Sequence, residues 1–170
     1  MSATLPILTA LRAHLQAALP EYEVALFPDR PDGYRFIHPK GAVLIGYQGS
    51  KFTQLEALGM IAQQRDITLN LTVFGRGVHH DGAALDLLDA LRLAIVGYRP
   101  PNCQPCHLLA EGFLSEDGGA WQYELRAQTE TQQVQRITEP NLPKLTGVYT
   151  RQSTDPLNPD LTPANNHPSP

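Results

Sequence analysis

RDITLNLTVF, residues 65–74, alternates strictly between two kinds of side chain. Successive side chains of a β-strand point to opposite faces of a sheet, so this pattern predicts a strand with one face on a hydrophobic core. The other face can stay solvated or meet a partner. The core-facing residues are Ile67, Leu69, Leu71 and Val73, and the opposite residues are Thr68, Asn70, Thr72 and Phe74.

Two amphipathic helices are predicted on either side of this strand in the sequence. The first begins after Thr4, an expected N-cap, and ends before Pro20. The second begins after Asp81, also an expected N-cap, and ends near Gly97. Apolar residues recur in both at three- and four-residue steps: Leu8, Leu11, Leu15 and Ala18 in the first, and Ala84, Leu87, Leu88, Leu91, Ala94 and Ile95 in the second.

Four more strands are predicted around these elements. They cover residues 21–27, 42–47, 108–114 and 121–127. Asp117-Gly118-Gly119 is typical of a hairpin turn between the last two. Residues 50–64 are ambiguous, although Leu55, Leu58 and Ile61 hint at a helical turn. The order α-β-β-β-α-β-β predicts an α+β fold, in which a largely antiparallel sheet carries two amphipathic helices on one face.

Composition excludes several classes of function. The chain has 170 residues, with 17 acidic and 13 basic side chains and a net charge of −4. This balance argues against a broad phosphate-binding surface, because nucleic-acid affinity depends largely on cationic side chains. No apolar stretch approaches the roughly 20 residues that a membrane span needs. The first residues lack the pattern of a signal peptide, so we expect the protein to be made in the cytoplasm and either to stay there or to become part of an assembly built there.

Proline is distributed unevenly along the chain. Seven of the 15 prolines lie after residue 137. Proline cannot donate to a β-ladder and disfavours a helix before it. We therefore expect a folded domain over residues 1–137 and an extended, proline-rich arm over residues 138–170. The arm is either a disordered terminus or a segment that docks on a neighbouring subunit through Leu142, Leu145, Val148 and Tyr149.

Cys103 and Cys106 are the only cysteines, too few for a disulfide scaffold. With His107 they match the C-x-x-C-H pattern of covalent haem attachment, and with His79 and His80 they suggest a zinc site. The spacing fits no standard zinc finger, and a thioredoxin-like dithiol would stand at the start of a helix after a strand. We interpret the segment as a structural turn, without metal, haem or other cofactor.

No complete catalytic pattern is present in the sequence. It contains neither a phosphate-binding loop nor a nucleophile elbow, and His79-His80 is interpreted as a polar helix entry. We expect no catalytic residues and no enzyme, but a structural or interaction protein.

Four stretches together form a pattern that spans about residues 5–135. The stretches are HPKGAVLIGYQGSKF (38–52), RDITLNLTVFGR (65–76), GAALDLLDALRLAIVGYRPPNC (82–103) and EGFLSEDGGAWQYEL (111–125). The pattern resembles the minor structural protein family of Mu-like contractile-tailed phages, whose members resemble tail terminators and completion proteins of phage tails and pyocin-like particles.

The resemblance implies a structural role in the bacteriophage virion. A tail terminator is expected to form a homohexameric ring that caps the tail tube, stops addition of tube or sheath subunits and joins the tail to the head. Its partners would be other copies of itself, the tube protein and a head-completion or neck protein, with the sheath as a further candidate. DNA would pass through the ring without specific binding, which suits the acidic balance. The expected location is the head-proximal end of the virion tail, after assembly in the host cytoplasm.

A ring also requires interface residues on each subunit. The expected ones are Phe52, Phe74, Leu93, Leu142, Leu145, Val148 and Tyr149. Leu93 is included because it lies on the polar side of the second helix, beside Asp86 and Asp89. Three alternatives stay open: a head-side neck protein, a small metal or redox module built on Cys103 and Cys106, and a cytoplasmic enzyme with an unrecognised site.

Overall fold

The protein folds in the predicted order of helix, three strands, helix and two strands, followed by two short strands. A computed structural model describes residues 3–29, 34–55, 61–79, 83–136, 149–150 and 162–163. The elements are α1 (Leu5–Ala18), β1 (Glu23–Leu26), β2 (Gly41–Phe52), β3 (Ala62–Arg76), α2 (Ala84–Ile95), β4 (His107–Asp117), β5 (Ala120–Val134), β6 (Tyr149–Thr150) and β7 (Thr162–Pro163).

The first five strands form one sheet with the order β1-β2-β3-β5-β4. β1 is parallel to β2, and the other neighbours are antiparallel. The strand predicted from residues 65–74 is β3, which lies at the centre of the sheet. The predicted α+β fold, a largely antiparallel sheet with two helices, is therefore confirmed.

The core lies between one face of the sheet and both helices. The odd-numbered residues of β3, from Ile67 to Val73, are fully buried, as the alternation predicted. Both helices bury their apolar stripes in the same cluster, so they pack on the same face of the sheet. The helical residues of this core are Ile7, Leu11, Leu15, Leu87, Leu88, Leu91 and Ile95.

α1 begins after Thr4 as predicted, whereas the N-cap of α2 differs from the predicted one. Thr4 occupies the N-cap of α1 without a side-chain capping hydrogen bond, and its hydroxyl accepts a hydrogen bond from Arg65. The N-cap position of α2 belongs to Ala83, which has no side chain to cap with. The predicted cap, Asp81, lies outside the described residues. Gly97, at φ +80°, follows the end of α2 as expected.

β2 is longer than predicted and continues to Phe52. Its second half pairs with the start of β3, Phe52 opposite Arg65, after an irregularity in register between Tyr47 and Gly49. The predicted helical turn around Leu55–Ile61 falls mostly on residues 56–60, outside the described residues, and neither Leu55 nor Ile61 belongs to a helix. The extended conformation of residues 50–52 is thus determined by pairing with β3 rather than by the periodicity of their own sequence.

The hairpin between β4 and β5 has the turn that the sequence predicted. Two residues, Gly118 at φ +56° and Gly119 at φ +83°, connect Asp117 to Ala120. A two-residue loop with both φ values positive matches the right-handed twist of antiparallel strands, and glycine adopts it without strain.

The chain divides into two compact units, Met1–Gln135 and Arg136–Pro170. In the second unit, Tyr149 and Thr150 pair with Pro163 and Thr162 in a small antiparallel sheet. Among the described residues, no helix has the length and apolar character needed to cross a bilayer.

Candidate subunit interface

β4 forms one edge of the sheet and is exposed along nearly its whole length. Pairing with β5 is interrupted at two bulges, where Leu109 and Leu114 are the extra residues. An edge strand offers unpaired backbone groups, and exposed apolar side chains beside them mark a site of association. The apolar side chains of β4 that are about half exposed are Leu109, Phe113 and Leu114.

An aromatic cluster continues this surface onto β5. The ring of Phe113 lies 5.7 Å from that of Trp121 and 5.6 Å from that of Tyr123, measured between centroids. Tyr123 pairs with Val73 of the core face, so the cluster lies on the side of the sheet that carries the helices. Partly exposed aromatic side chains contribute large contact areas to protein interfaces.

The last turn of α2 lies beside the first half of β4. Arg92 Nη1 donates to both carboxylate oxygens of Glu111, at 2.6 and 2.8 Å. The backbone N–H of Gly97 donates to the carbonyl of Cys106, one residue before β4, at 2.9 Å. These two links bring the exposed side of α2 next to the exposed edge strand.

Leu93 and Val96 are exposed apolar residues at the C-terminal end of α2. Leu93 is 84% exposed, the largest value among the exposed large hydrophobic side chains of the described residues. Its predicted position on the polar side of the helix is confirmed, because Asp89 and Asp86 are exposed as well. A role for Leu93 in an interface stays a prediction.

A second apolar surface lies at the far end of the three longest strands. Ala62 pairs with Val134 there, and Thr53 N–H donates to the carbonyl of Gln64. Phe52, expected at an interface from sequence, belongs to this end and is half exposed. The exposed apolar side chains of this surface are Phe52, Leu55, Ile61 and Val134.

Phe74, another expected interface residue, is only 8% exposed. Its ring packs against Tyr34 and Phe36, with centroids 5.5 and 5.6 Å away, and Ala42 and Leu44 complete a second small core. The expectation of a surface position for Phe74 is therefore wrong. The loop that covers it lies about 40 residues away in sequence, which the alternation of β3 does not reveal.

Arg65 is a buried charge that sequence reasoning missed. It is 8% exposed and pairs with no carboxylate among the described residues. Its Nε donates to Ser50 Oγ at 2.9 Å, and its Nη2 donates to Thr4 Oγ1 at 2.8 Å and to Tyr47 Oη at 3.4 Å. The hydrogen bond between Tyr47 and Ser50, and secondly the one from Arg65, lower the pKa of Tyr47 below its usual value. Arg65 thus ties the start of α1 to β2 and β3.

Cys103 and Cys106 are both buried free thiols that belong to the core. Burial raises the pKa of both, that of Cys106 to about 11. Reactive cysteines have the opposite property, a lowered pKa in a partly exposed position. Among the described residues, no group of three or more His, Cys, Asp or Glu side chains is placed to hold a metal ion.

Replacing both cysteines by serine is expected to leave assembly intact. Each substitution should lower the free energy of unfolding by about 1 kcal/mol, because a hydroxyl replaces a buried thiol in the core and is more costly to remove from water. Urea denaturation measures the loss of stability, incorporation into purified particles measures assembly, and elemental analysis of the purified protein measures bound metal.

The pH dependence of the free energy of unfolding of the wild-type protein provides a check on the structural role of the two cysteines. A raised thiol pKa stabilises the fold below the unfolded value of 9.0, and this contribution is lost as the pH rises towards about 11. The doubly substituted protein should lose less stability over that range. A stoichiometric metal that disappears together with assembly in this variant contradicts a purely structural role.

Four interface residues are expected in the arm, and three of them lie outside the described residues. These three are Leu142, Leu145 and Val148. The backbone of Tyr149 belongs to β6. Their role in docking stays a prediction.

Comparison with known proteins gives one match over most of the chain. A family described as Gp37 protein matches residues 11–151. The match includes α2 and all five strands of the main sheet, and it begins within α1. No curated protein sequence matches the chain.

Proposed function

Because this chain belongs to the phage-related Gp37 protein family and is a phage structural protein, we propose that it is a tail terminator. In this role, six copies form a ring on the finished tail tube, stop further subunit addition and present a surface to the head. The family membership supports a phage protein in general, and the surfaces of the folded unit support assembly with other copies.

The observation that carries the proposal is the presence of two different apolar surfaces on one subunit. One consists of β4 with the adjacent residues of α2, and the other lies at the ends of β2, β3 and β5. A head-to-tail contact joins two different surfaces, and it closes into a ring when the rotation between subunits permits. A subunit with two such surfaces suits a ring better than a two-fold dimer, in which one surface meets itself.

The first expected result is six copies at the head-proximal end of the tail. Cryo-electron microscopy of the assembled particle should show a six-fold ring there, in contact with the last tube ring. Particles made without the protein should carry tails of uncontrolled length, because nothing stops subunit addition. One or two copies per particle, or a location on the head side of the joint, would contradict the proposal.

The second expected result concerns the arm. A chain that ends at Arg136 should fold but join particles poorly, because residues 138–150 then cannot bind a neighbouring subunit. A chain that ends at Thr150 keeps residues 138–150, serves as the matched control, and should show a much milder loss of assembly than the chain that ends at Arg136. Particle incorporation, measured by immunoblotting of purified particles, compares the two. Equal incorporation of both truncated chains would assign no assembly role to residues 138–150.

A further inference from the structure

The free edge of β4 is large enough to accept another strand. Of the two edge strands, β1 has four residues and β4 has eleven. Among the described residues, the backbone of positions 108–117 forms hydrogen bonds only with β5. Extended segments bind to such edges through main-chain hydrogen bonds, and alternate side chains determine specificity.

We propose that residues 144–151 of a second copy of this chain bind the free edge of β4 as an added strand. This inference rests on the proposed function, since it assigns the receiving surface for the arm within the ring. The occupant is therefore a segment of the same protein, contributed by the neighbouring subunit.

The sequence of this segment suits an added strand. KLTGVYTR, residues 144–151, lies within the proline-free run between Pro143 and Pro156, so each of its residues has a backbone N–H to donate. Val148, Tyr149 and the two threonines favour an extended strand. The backbone of Tyr149 and Thr150 has strand conformation and pairs on one side with Pro163 and Thr162 of the same arm.

The charges of the two segments are complementary. β4 carries three acidic side chains, Glu111, Glu116 and Asp117, and neither lysine nor arginine. Arg92 neutralises Glu111, whereas Glu116 and Asp117 form no ion pair within the described part of the chain. The segment carries Lys144 and Arg151 and no acidic residue. Opposite charges on paired strands stabilise the pair, and like charges destabilise it.

The connection is long enough to reach a neighbour. β5 ends at Val134, ten residues before Lys144. An extended chain spans about 3.3 Å per residue, so this connection reaches roughly 33 Å. A unit of about 135 residues has a radius of gyration of roughly 14 Å. The segment can therefore cross from one subunit to the edge strand of the next.

Disulfide trapping between two full-length variants, each with one added cysteine, tests the inference. One variant is Phe113→Cys on β4, and the other is Val148→Cys with an affinity tag. When the two variants are mixed under oxidising conditions, a cross-linked species of one tagged and one untagged chain should form. The control replaces Phe113→Cys by Ala17→Cys, which places an exposed thiol on α1. The cross-linked species should be at least five times as abundant with Phe113→Cys as with this control. The native thiols are buried with raised pKa and should contribute little background.

A charge variant provides a second measurement that does not touch the folded unit. Full-length Lys144→Glu/Arg151→Glu should reduce the cross-link several-fold when it is introduced into the tagged partner. Lys51→Glu/Arg99→Glu changes the net charge equally at two exposed positions and should leave the cross-link unchanged. Equal reduction by both pairs would overturn the proposed complementarity with β4.

Two further results would overturn the inference. One is cross-linking no greater than with Ala17→Cys. The other is a double variant, Phe113→Cys/Val148→Cys, that closes its disulfide mainly within one chain. Either result leaves the tail-terminator proposal intact if six-fold rings are still found on tails. Absence of such rings refutes the proposed function, whatever the cross-linking shows.

Discussion

Leu71→Ala is expected to lower the free energy of unfolding by about 2–5 kcal/mol, the usual range for a buried leucine. Leu71 is fully buried on the central strand and pairs with Ile45 and Leu125, which are also buried. Close packing around it limits how far the neighbours can move into the space left by the missing atoms. Urea denaturation followed by circular dichroism measures the loss, and Leu88→Ala on α2 should give a loss in the same range.

Leu93→Ser is the matched control for these core substitutions. At 84% exposure, Leu93 has little contact to lose, so the free energy of unfolding should change by less than about 0.5 kcal/mol. Incorporation into particles should nevertheless fall, because we expect the exposed apolar side chain of Leu93 to contact a neighbouring subunit. A Leu93→Ser protein as unstable as Leu88→Ala would show that α2 packs with a different face.

Gly75→Ala should also be strongly destabilising, by about 1–3 kcal/mol. A Cβ added at Gly75 would lie 2.5 Å from the Cα and 2.6 Å from the backbone nitrogen of Ala84. Those are backbone atoms at the start of α2, so the clash can be relieved only if the helix moves away from the sheet. Thermal unfolding should show a lowered midpoint, and any loss of particle incorporation should follow the loss of folded protein.

Gly112→Ala is the control for this substitution in another strand. Nothing lies within 4 Å of a Cβ added there, and its φ is not positive. Alanine also reduces the conformational freedom of the unfolded chain, so the stability should stay the same or rise slightly. Comparable destabilisation by both substitutions would mean that the close approach of Ala84 to Gly75 is not the cause.

The local patterns of the sequence were sufficient to predict most of the helices, strands and turns. Strict alternation predicted β3 and its buried face, and helical spacing predicted the stripe of α2 together with the exposure of Leu93. Asp117-Gly118-Gly119 predicted the hairpin turn. Each of these features depends on residues within about ten positions of one another, where periodicity and backbone preference act directly.

Features that depend on distant residues were missed or placed wrongly. Ser50 to Phe52 has no clear strand pattern and is extended because it pairs with the start of β3. Phe74 looked like a surface residue but is covered by Tyr34 and Phe36. Nothing around Arg65 in sequence shows that Thr4, 61 residues earlier, accepts a hydrogen bond from it.

The sequence by itself determined the order of the elements, the core face of the sheet, the phase of α2 and the resemblance to a phage structural protein. Only the tertiary structure decided which strand is left at the sheet edge. β4 and β5 both alternate in sequence, yet β5 pairs on both sides while β4 pairs on one and stays exposed. The physical reason is that strand order follows from which long-range pairings bury the most apolar surface together, a property of the whole sheet rather than of any one segment.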